Sequence, residues 1–530
     1  MKRMFTVIVV LTAAALLTSC AAGDFLKGTA EKFFVSEKTD GDDNVQDIQP
    51  EETKTDNSIT VGVLDFDTYN PLATKSSTVK EVCGFVFEGL FGLDSSFRTL
   101  PSLAQSYTVS PDGKGISISI KNGVTWHDST PFTVDDVLYT IDYIRSEQTA
   151  YSYLLEAVDG AWKQDENTLC VSFSRSVPDS VSLFIFPIIK KGSAAGEFDF
   201  VGTGPYMISS PAADTVLTAY ANYHGGNVGI ERIYVKRIPD KEKYISLFNA
   251  GEINIATSEI LDMTSFMPKS NAKVYDYVSN NMVFVGFNTA SSKLNDAKTR
   301  RALSMLIDRD LLISRTYFSL AAASEYPVNP SSWLNTDARD KIRSDDSGAL
   351  ALLTEAGWAA DNRGRYYRSD GKKLSYLTLT ILVNSDDDKR SLMAEDIAAK
   401  LSGLGIPTDV RKCPSAEFSA SVLQKNYELF IGETELPPNN DLTSLVSSNG
   451  NYFNYANADV DVLLSQMGTV QLESDVKAVA GVLYETLREE SPFAPICFKK
   501  ESIVTSAKIK SGVNPSIESF VRESANWMVK

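Results

Sequence analysis

The side chains that most often carry chemistry are scarce or badly spaced in this chain. It has two histidines, His127 and His224, far apart in sequence, so a multi-histidine metal site is excluded. No H-E-x-x-H, G-x-S-x-G or G-x-x-x-x-G-K-[ST] motif occurs. One acyl-transfer set does occur in order: Ser77-Thr78-Val79-Lys80, then Ser447-Ser448-Asn449, then Lys510-Ser511-Gly512. A serine one helical turn from a lysine can be an activated nucleophile. Each of these patterns fixes only two or three residues, however, and the interval from Ser77 to Ser447 is too long for one compact catalytic domain of that kind. Cys83, Cys170, Cys413 and Cys497 are scattered without a C-x-x-C pair, leaving free thiols and three pairings all open.

Cys20 is different, because of what precedes it. Lys2 and Arg3 form a positive start, an apolar run extends from Met4 to Leu17, and Leu17-Thr18-Ser19-Cys20 resembles a bacterial lipobox. The run is short for a bilayer span, which needs about 20 apolar residues. Residues 1–19 are therefore expected to be a signal peptide, with lipidation of the Cys20 thiol; an ordinary secretion signal is the alternative. Ala21 to Ser58 carries ten acids, four lysines and little apolar surface. Residues 20–58 are accordingly expected to be a lipidated start and a disordered acidic linker. No later segment is a long uninterrupted apolar run. The net charge is −17, about −19 once Lys2 and Arg3 are removed. Such a body repels nucleic acid and anionic headgroups.

The elements that must position any site mix strands and helices. Ile116, Ile118 and Ile120 alternate with polar residues as in a half-buried strand, and Asn122-Gly123 turns into Val124-Thr125-Trp126. Thr133 reads as a helix N-cap with Asp136 three residues on. Tyr376 to Val383 predicts a buried strand. Met393, Ile397, Leu401 and Leu404 predict a helix ending at Gly405, and Thr408–Cys413 and Tyr427–Ile431 two more strands. Cys170 alternates out of phase with Leu169, Val171 and Phe173, so it is expected on the less apolar strand face. The rhythm predicts an α/β second half with parallel pairing and an α+β first half.

Several motifs together resemble the family 5 extracellular solute-binding proteins, the peptide-binding receptors of bacterial ABC importers. They begin with Asn70-Pro71-Leu72, Val86-Phe87-Glu88-Gly89-Leu90 and the run from Leu103 to Gly113. Gly123 to Val137 comes next, then Gly202-Thr203-Gly204-Pro205-Tyr206, Leu247 to Ile253 and Gly286-Phe287-Asn288. Asp296, Arg300 to Leu303, Ile307-Asp308-Arg309 and Glu355 to Trp358 complete the set, which spans about residues 59 to 500. Most of these markers have structural readings. Gly202 to Pro205 fits a tight turn. His127 reads as a hydrogen-bonded structural imidazole. Asp135 and Asp136 suit a helix N-terminus. Asp296, Arg300 and Asp308 read as ion-paired helix surface and packing.

The resemblance implies an α/β, two-lobed periplasmic-binding-protein-like fold of the large peptide-binding type, with an extra α+β subdomain in the first lobe. Lobe one would hold residues 59–279 and 495–530, with the subdomain at about 91–190, and lobe two residues 280–494. The two crossings, near Asn280 and Pro495, would form a hinge that closes over the ligand. The chain is then expected to be a monomeric, lipid-anchored receptor on the extracytoplasmic face of the cell membrane, not an enzyme. It would have no cofactor, would bind oligopeptides and would deliver them to a permease. Alternatives are another ligand (a nickel complex, haem or an oligosaccharide) or, from the acyl-transfer set, a penicillin-recognising serine enzyme. The family binds extended peptides largely through their backbone, like an added strand. By position this implicates Lys75, Ser76 and Ser77 in the first lobe and Gly432, Glu433 and Glu435 in the second. Family peptide binders often place a Trp after that glycine and then an acid for the peptide's α-amine. Here Glu433 takes the Trp position and Pro437-Pro438 interrupt the remainder of the pattern, so Glu433 and Glu435 are both candidates. Asn449, Tyr452, Asn454 and Phe498 are further candidates to line the cleft. Asn254 stands where the family often has Asp.

Overall fold

Strand pairing sorts the chain into separate sheets, and the helices are set by caps and apolar faces. The computed structural model describes residues 56–194, 200–210, 214–263, 272–335, 344–370 and 373–529. The expected signal peptide, Cys20 and almost all of the expected linker lie outside the described residues. The first strand, Ser58–Val63, starts one residue inside the span read as tether. Ser58 is buried there and donates to Asp56.

Ser58–Val63 lies parallel to Arg232–Arg237, and Asp214–Ala219 and Tyr206–Ser210 complete a four-stranded sheet by antiparallel pairing. Its core includes Ile59, Val61, Val63, Ile233 and Val235, and also Phe520, Val521 and Trp527 from the end of the chain. A second four-stranded sheet is wholly antiparallel, with Gly115–Ile120 between Ala104–Val109 and Thr168–Phe173, and Val158–Asp165 at the edge. Ile116, Ile118 and Ile120 are all buried, as their alternation requires. The helix Val134–Glu147 belongs to the same core. Its capping box is formed, with the Asp136 carboxylate accepting from the Thr133 amide at 2.8 Å. Cys170 faces Ser117 and Gln164, the polar side of its strand, yet it is buried. All four described cysteines are free and buried.

A seven-stranded sheet carries the second half. Leu379–Asn384 pairs in parallel with both Thr408–Cys413 and Leu429–Glu435. The helix Asp388–Gly403 buries Met393, Ile397 and Leu401, each contributing roughly 1.5–3 kcal/mol of transfer free energy. Gly405 comes just after it at φ +88°, and a Cβ there would lie 1.9 Å from the Gly364 carbonyl, so only glycine closes this turn. One expectation needs correction. Tyr376 to Val383 is not a single strand: Tyr376 ends the hairpin strand Lys373–Tyr376, and a new strand begins at Leu379. The amide of Leu377 donates to Tyr366 and that of Leu379 to Pro407, so the chain changes partners between them. The strand read as Tyr427–Ile431 runs instead from Leu429 to Glu435, because Asn281–Phe287 pairs with it throughout.

Two long strands join the sheet's parts. Lys273–Phe287 and Phe493–Thr505 pair antiparallel in two stretches, and the register breaks between Val278 and Met282. Broken ladders orphan backbone groups, which must find other partners. Asn329 supplies them, its side-chain amide donating to the Val278 and Ser279 carbonyls and to Asn280 Oδ1. Asn280 in turn donates to the Leu436 carbonyl. A second irregularity places Phe284 opposite Pro495 and Val283 opposite Cys497.

Candidate functional site

One hollow has a volume of about 580 Å³, in the size range of ligand cavities. One wall is the short helix Ser77–Cys83. Ser77, Lys80 and Glu81 fall at i, i+3 and i+4, so one helix face presents all three to the hollow. Ser76 caps that helix, accepting from the Val79 amide and donating to the Leu64 carbonyl at 2.6 Å. Asp67 accepts from the Lys75 amide and the Thr74 hydroxyl, which fixes the preceding loop. A second wall is aromatic, with Tyr151 and Tyr153 around the turn Ser152–Leu155. Glu518 and Arg522 come from the C-terminal segment, and Glu435, Leu436 and Pro438 from the end of the strand Leu429–Glu435.

The charged groups of this hollow differ in how far they are satisfied. Glu88 accepts from Ser102, Tyr223 and His224, the last at 2.9 Å, and is fully engaged. Glu518 accepts from the Leu93 amide at 2.6 Å; burial pushes its pKa up to about 7, against the pull of Arg522. Burial pushes Glu81 up to about 8, opposed by the Ser519 hydroxyl and reinforced by Glu501, Glu259 and Glu518. Burial also raises Glu435, Glu501 adds to the rise, and Lys80 opposes it. Glu435 lines the open volume itself.

The residues implicated by sequence divide sharply. Ser77 and Glu435 line the hollow. Ser76 is a buried helix cap, and Lys75 is held through its backbone. Glu433 is paired with Lys499. Gly432 is buried, packed against the rings of Phe430 and Phe284. With Glu433 and Tyr452 it lines a different hollow, of about 350 Å³. Asn449 is exposed away from both. Asn454 donates to Asn288 at 2.8 Å, next to the start of the strand Leu429–Glu435. Glu435 ends that strand six residues on from Leu429, about 20 Å away at the usual rise. Phe498 is fully buried in the core with Phe284 and Phe453. Asn449, Tyr452, Asn454 and Phe498 do not line the large hollow. Asn449 and Lys510 line none of the hollows that Ser77 lines.

The model of bacterial extracellular solute-binding proteins, family 5 (middle), matches residues 98–454, more than half of the chain. The chain belongs to this family. The oligopeptide-binding protein AppA of Bacillus subtilis is 24% identical over 80% of the chain and 83% of its own length. The heme-binding protein A of Haemophilus influenzae is 23% identical over 78% of the chain and 81% of its own length. The structure of Bacillus subtilis AppA with a nonapeptide superposes with a TM-score of 0.60 at 18% identity, covering 89% of this chain and 99% of that one. Solved relatives of this kind are two-lobed periplasmic binding proteins, and this chain shares their α/β fold.

The markers of a family 5 solute-binding protein build the frame around the hollow. His127 Nδ1 accepts from the Gly202 amide at 3.2 Å, so Nε2 is the protonated nitrogen and donates to the Gly204 carbonyl at 2.9 Å. Burial lowers the His127 pKa, keeping the ring neutral. A Cβ on Gly202 would lie 1.9 Å from the Val86 carbonyl. The two motifs thus form one unit docked on Phe85–Val86. Arg300, almost wholly buried, donates to the carbonyls of Leu294, Glu490 and Ser491. Asp296 and Asp308 cap helices. Asn254 accepts from the Thr60 amide and donates to Ser506, so its amide uses both functions. Among the described residues no helix is long and apolar enough to cross a membrane. Sequence reasoning missed Glu81, Tyr151, Tyr153, Glu518 and Arg522. Glu81 was legible from its helical spacing to Ser77, whereas nothing in the C-terminal sequence marks Glu518.

Proposed function

We propose that this solute-binding protein takes oligopeptides into the 580 Å³ hollow and delivers them to an ABC permease, tethered by lipid on Cys20 to the extracytoplasmic face of the membrane. One observation carries the reading: the strand Leu429–Glu435 ends at Glu435 in the hollow, and the edge leading to it, which runs along the neighbouring 350 Å³ hollow at Gly432, Glu433 and Thr434, is open. Its pairing with Leu379–Asn384 covers only Leu429 and Phe430, so from Ile431 onward no described strand pairs that edge. An extended peptide can add there through its backbone, between a strand edge and aromatic walls. The nonapeptide held by AppA supports the same ligand class. Glu433 is engaged by Lys499, so Glu435 is the carboxylate left for the peptide's α-amine.

The lobes of this reading are residues 59–279 with 495–530, and 280–494, with the extra subdomain at about 91–190. The hinge is the register break at Val278–Met282 together with the irregularity at Pro495–Cys497. Bending is cheapest where ladder hydrogen bonds are already missing. The protein acts as a monomer, and its charge of −17 keeps it from nucleic acid.

The test is a thermal-shift and small-angle scattering series on the full-length protein with pooled short peptides. Binding at about 100 times the dissociation constant should stabilise by ~2.7 kcal/mol and compact the protein. No shift and no compaction with any pool would overturn the peptide reading. A haem titration run in parallel decides the reading favoured by the Haemophilus influenzae relative. Among the described residues no cluster of three metal-ligating side chains is present.

A further inference from the structure

Behind the helix Ser77–Cys83 lies a smaller pocket of about 80 Å³, which shares Ser77 and Glu81 with the large hollow as a common wall. Its charged lining is one-sided. Glu81, Glu259 and Glu501 line it, and no lysine, arginine or histidine does. Few donors answer these carboxylates: Tyr277 donates to Glu501, and Ser519 to Glu81 at 3.3 Å. The pocket also holds an acceptor with nothing to accept. Thr257 lines it, and Thr257 Oγ1 is shielded from solvent with no hydrogen-bond partner.

Resting on the peptide reading, we propose that this pocket receives the protonated side chain of a lysine or arginine from a peptide held in the large hollow. An ammonium has three donors and no acceptor, a guanidinium five and none. Either places its charge among the three carboxylates and the unsatisfied hydroxyl and its methylene stem against the apolar remainder of the lining, such as Val61, Val82, Phe85 and Ile503, whereas an acidic side chain finds no complement. Like charges held together disfavour one another's ionisation, and a cation among them removes that cost. The peptide's α-amine carries the same charge, but Glu435 already stands in the large hollow to meet it. The overall negative charge of the chain would also speed the encounter with basic peptides. Glu81 is then a specificity-determining residue, since it belongs to both hollows.

The experiment is calorimetric titration of the full-length protein with matched short peptides, in which one lysine is moved through each position and replaced by norleucine of equal length. At one position the lysine peptide should bind roughly tenfold to over a hundredfold more tightly, the usual worth of a charge-assisted hydrogen bond. In E259Q and in E501Q, whose side chains line only the small pocket, that ratio should fall towards one while the norleucine peptide keeps its affinity, which also shows that the variants fold. Equal binding of lysine and norleucine peptides at every position overturns this inference and leaves the peptide reading standing. A preference unchanged in both variants overturns the assignment to this pocket. A preference that vanishes when the α-amine is acetylated places the charge at the terminus and overturns it too. If no peptide binds, the peptide reading falls and this inference with it.

Discussion

Substituting Glu435 by Gln separates the two carboxylates that the sequence left equivalent. Glu433 Oε1 is held by Lys499, in a pair whose lysine and glutamate side chains are 30% and 21% exposed. Glu435 lies two residues on, in the large hollow, with its pKa raised by burial and by Glu501. Bringing an ammonium into that hollow without a carboxylate would cost more than closure can repay. A hydrogen bond to a charged group is worth ~1.5–3 kcal/mol, roughly tenfold to over a hundredfold in affinity. E435Q should therefore lose about that factor for a free peptide, and acetylating the peptide's N-terminus should cost the wild type the same. The two changes should not add, because both remove one contact. E433Q should instead lose up to about 1 kcal/mol of stability, as expected of a partly exposed ion pair, and keep its sensitivity to acetylation. The raised pKa of Glu435 adds a pH signature. Binding an ammonium favours the ionised carboxylate, so wild-type affinity should fall as pH drops through its raised range, and E435Q should lose that dependence. Calorimetry on both variants with free and acetylated peptide reads all of this. If acetylation is harmless and E435Q binds normally at every pH, the amine lies elsewhere.

Three further outcomes are expected. Cys20→Ala should abolish incorporation of labelled lipid; unchanged labelling would refute the anchor. Glu81 and Glu518 bind protons more tightly in the native state, with pKa values of about 8 and about 7. Stability should thus fall as pH rises from the ordinary carboxylate range through these values, and E81Q should flatten that slope and raise the melting temperature at pH 8; a parallel shift at all pH values would refute the assignment. His127→Ala should cost about 1–3 kcal/mol in urea unfolding by leaving the Gly202 amide and Gly204 carbonyl unpaired, with peptide affinity unchanged; loss of binding in the folded variant would make His127 a ligand residue.

What was legible in the sequence is what local physics decides. Thr133 with Asp136, the isoleucines of Gly115–Ile120 and the helix ending at Gly405 each announce themselves within a few residues, and the structure forms all of them. Tyr376–Val383 failed because an apolar run does not say where a strand changes partner; that choice was made by Tyr366 and Pro407. Cys170 illustrates the same limit: alternation gave its face correctly, but burial there depends on Trp162 and the neighbouring strand that cover it.

The site was harder to read than the fold because its walls come from segments distant in sequence. Glu81, Tyr153, Glu435 and Glu518 meet only once the helix Ser77–Cys83, the turn Ser152–Leu155, the strand Leu429–Glu435 and the C-terminal segment are assembled. Position within a motif located the strand end at Gly432–Glu435, yet it could not distinguish Glu433 from Glu435, because the difference is Lys499, contributed by the strand Phe493–Thr505. The residues that made the family recognisable, His127, Gly202 and Arg300, are those whose backbone contacts any ligand chemistry would require. On the reading proposed above, ligand choice rests instead on side chains such as Glu81 that line both hollows. A resemblance carried by the frame therefore identifies the kind of receptor, and the charge lining its pockets must be read from the assembled structure.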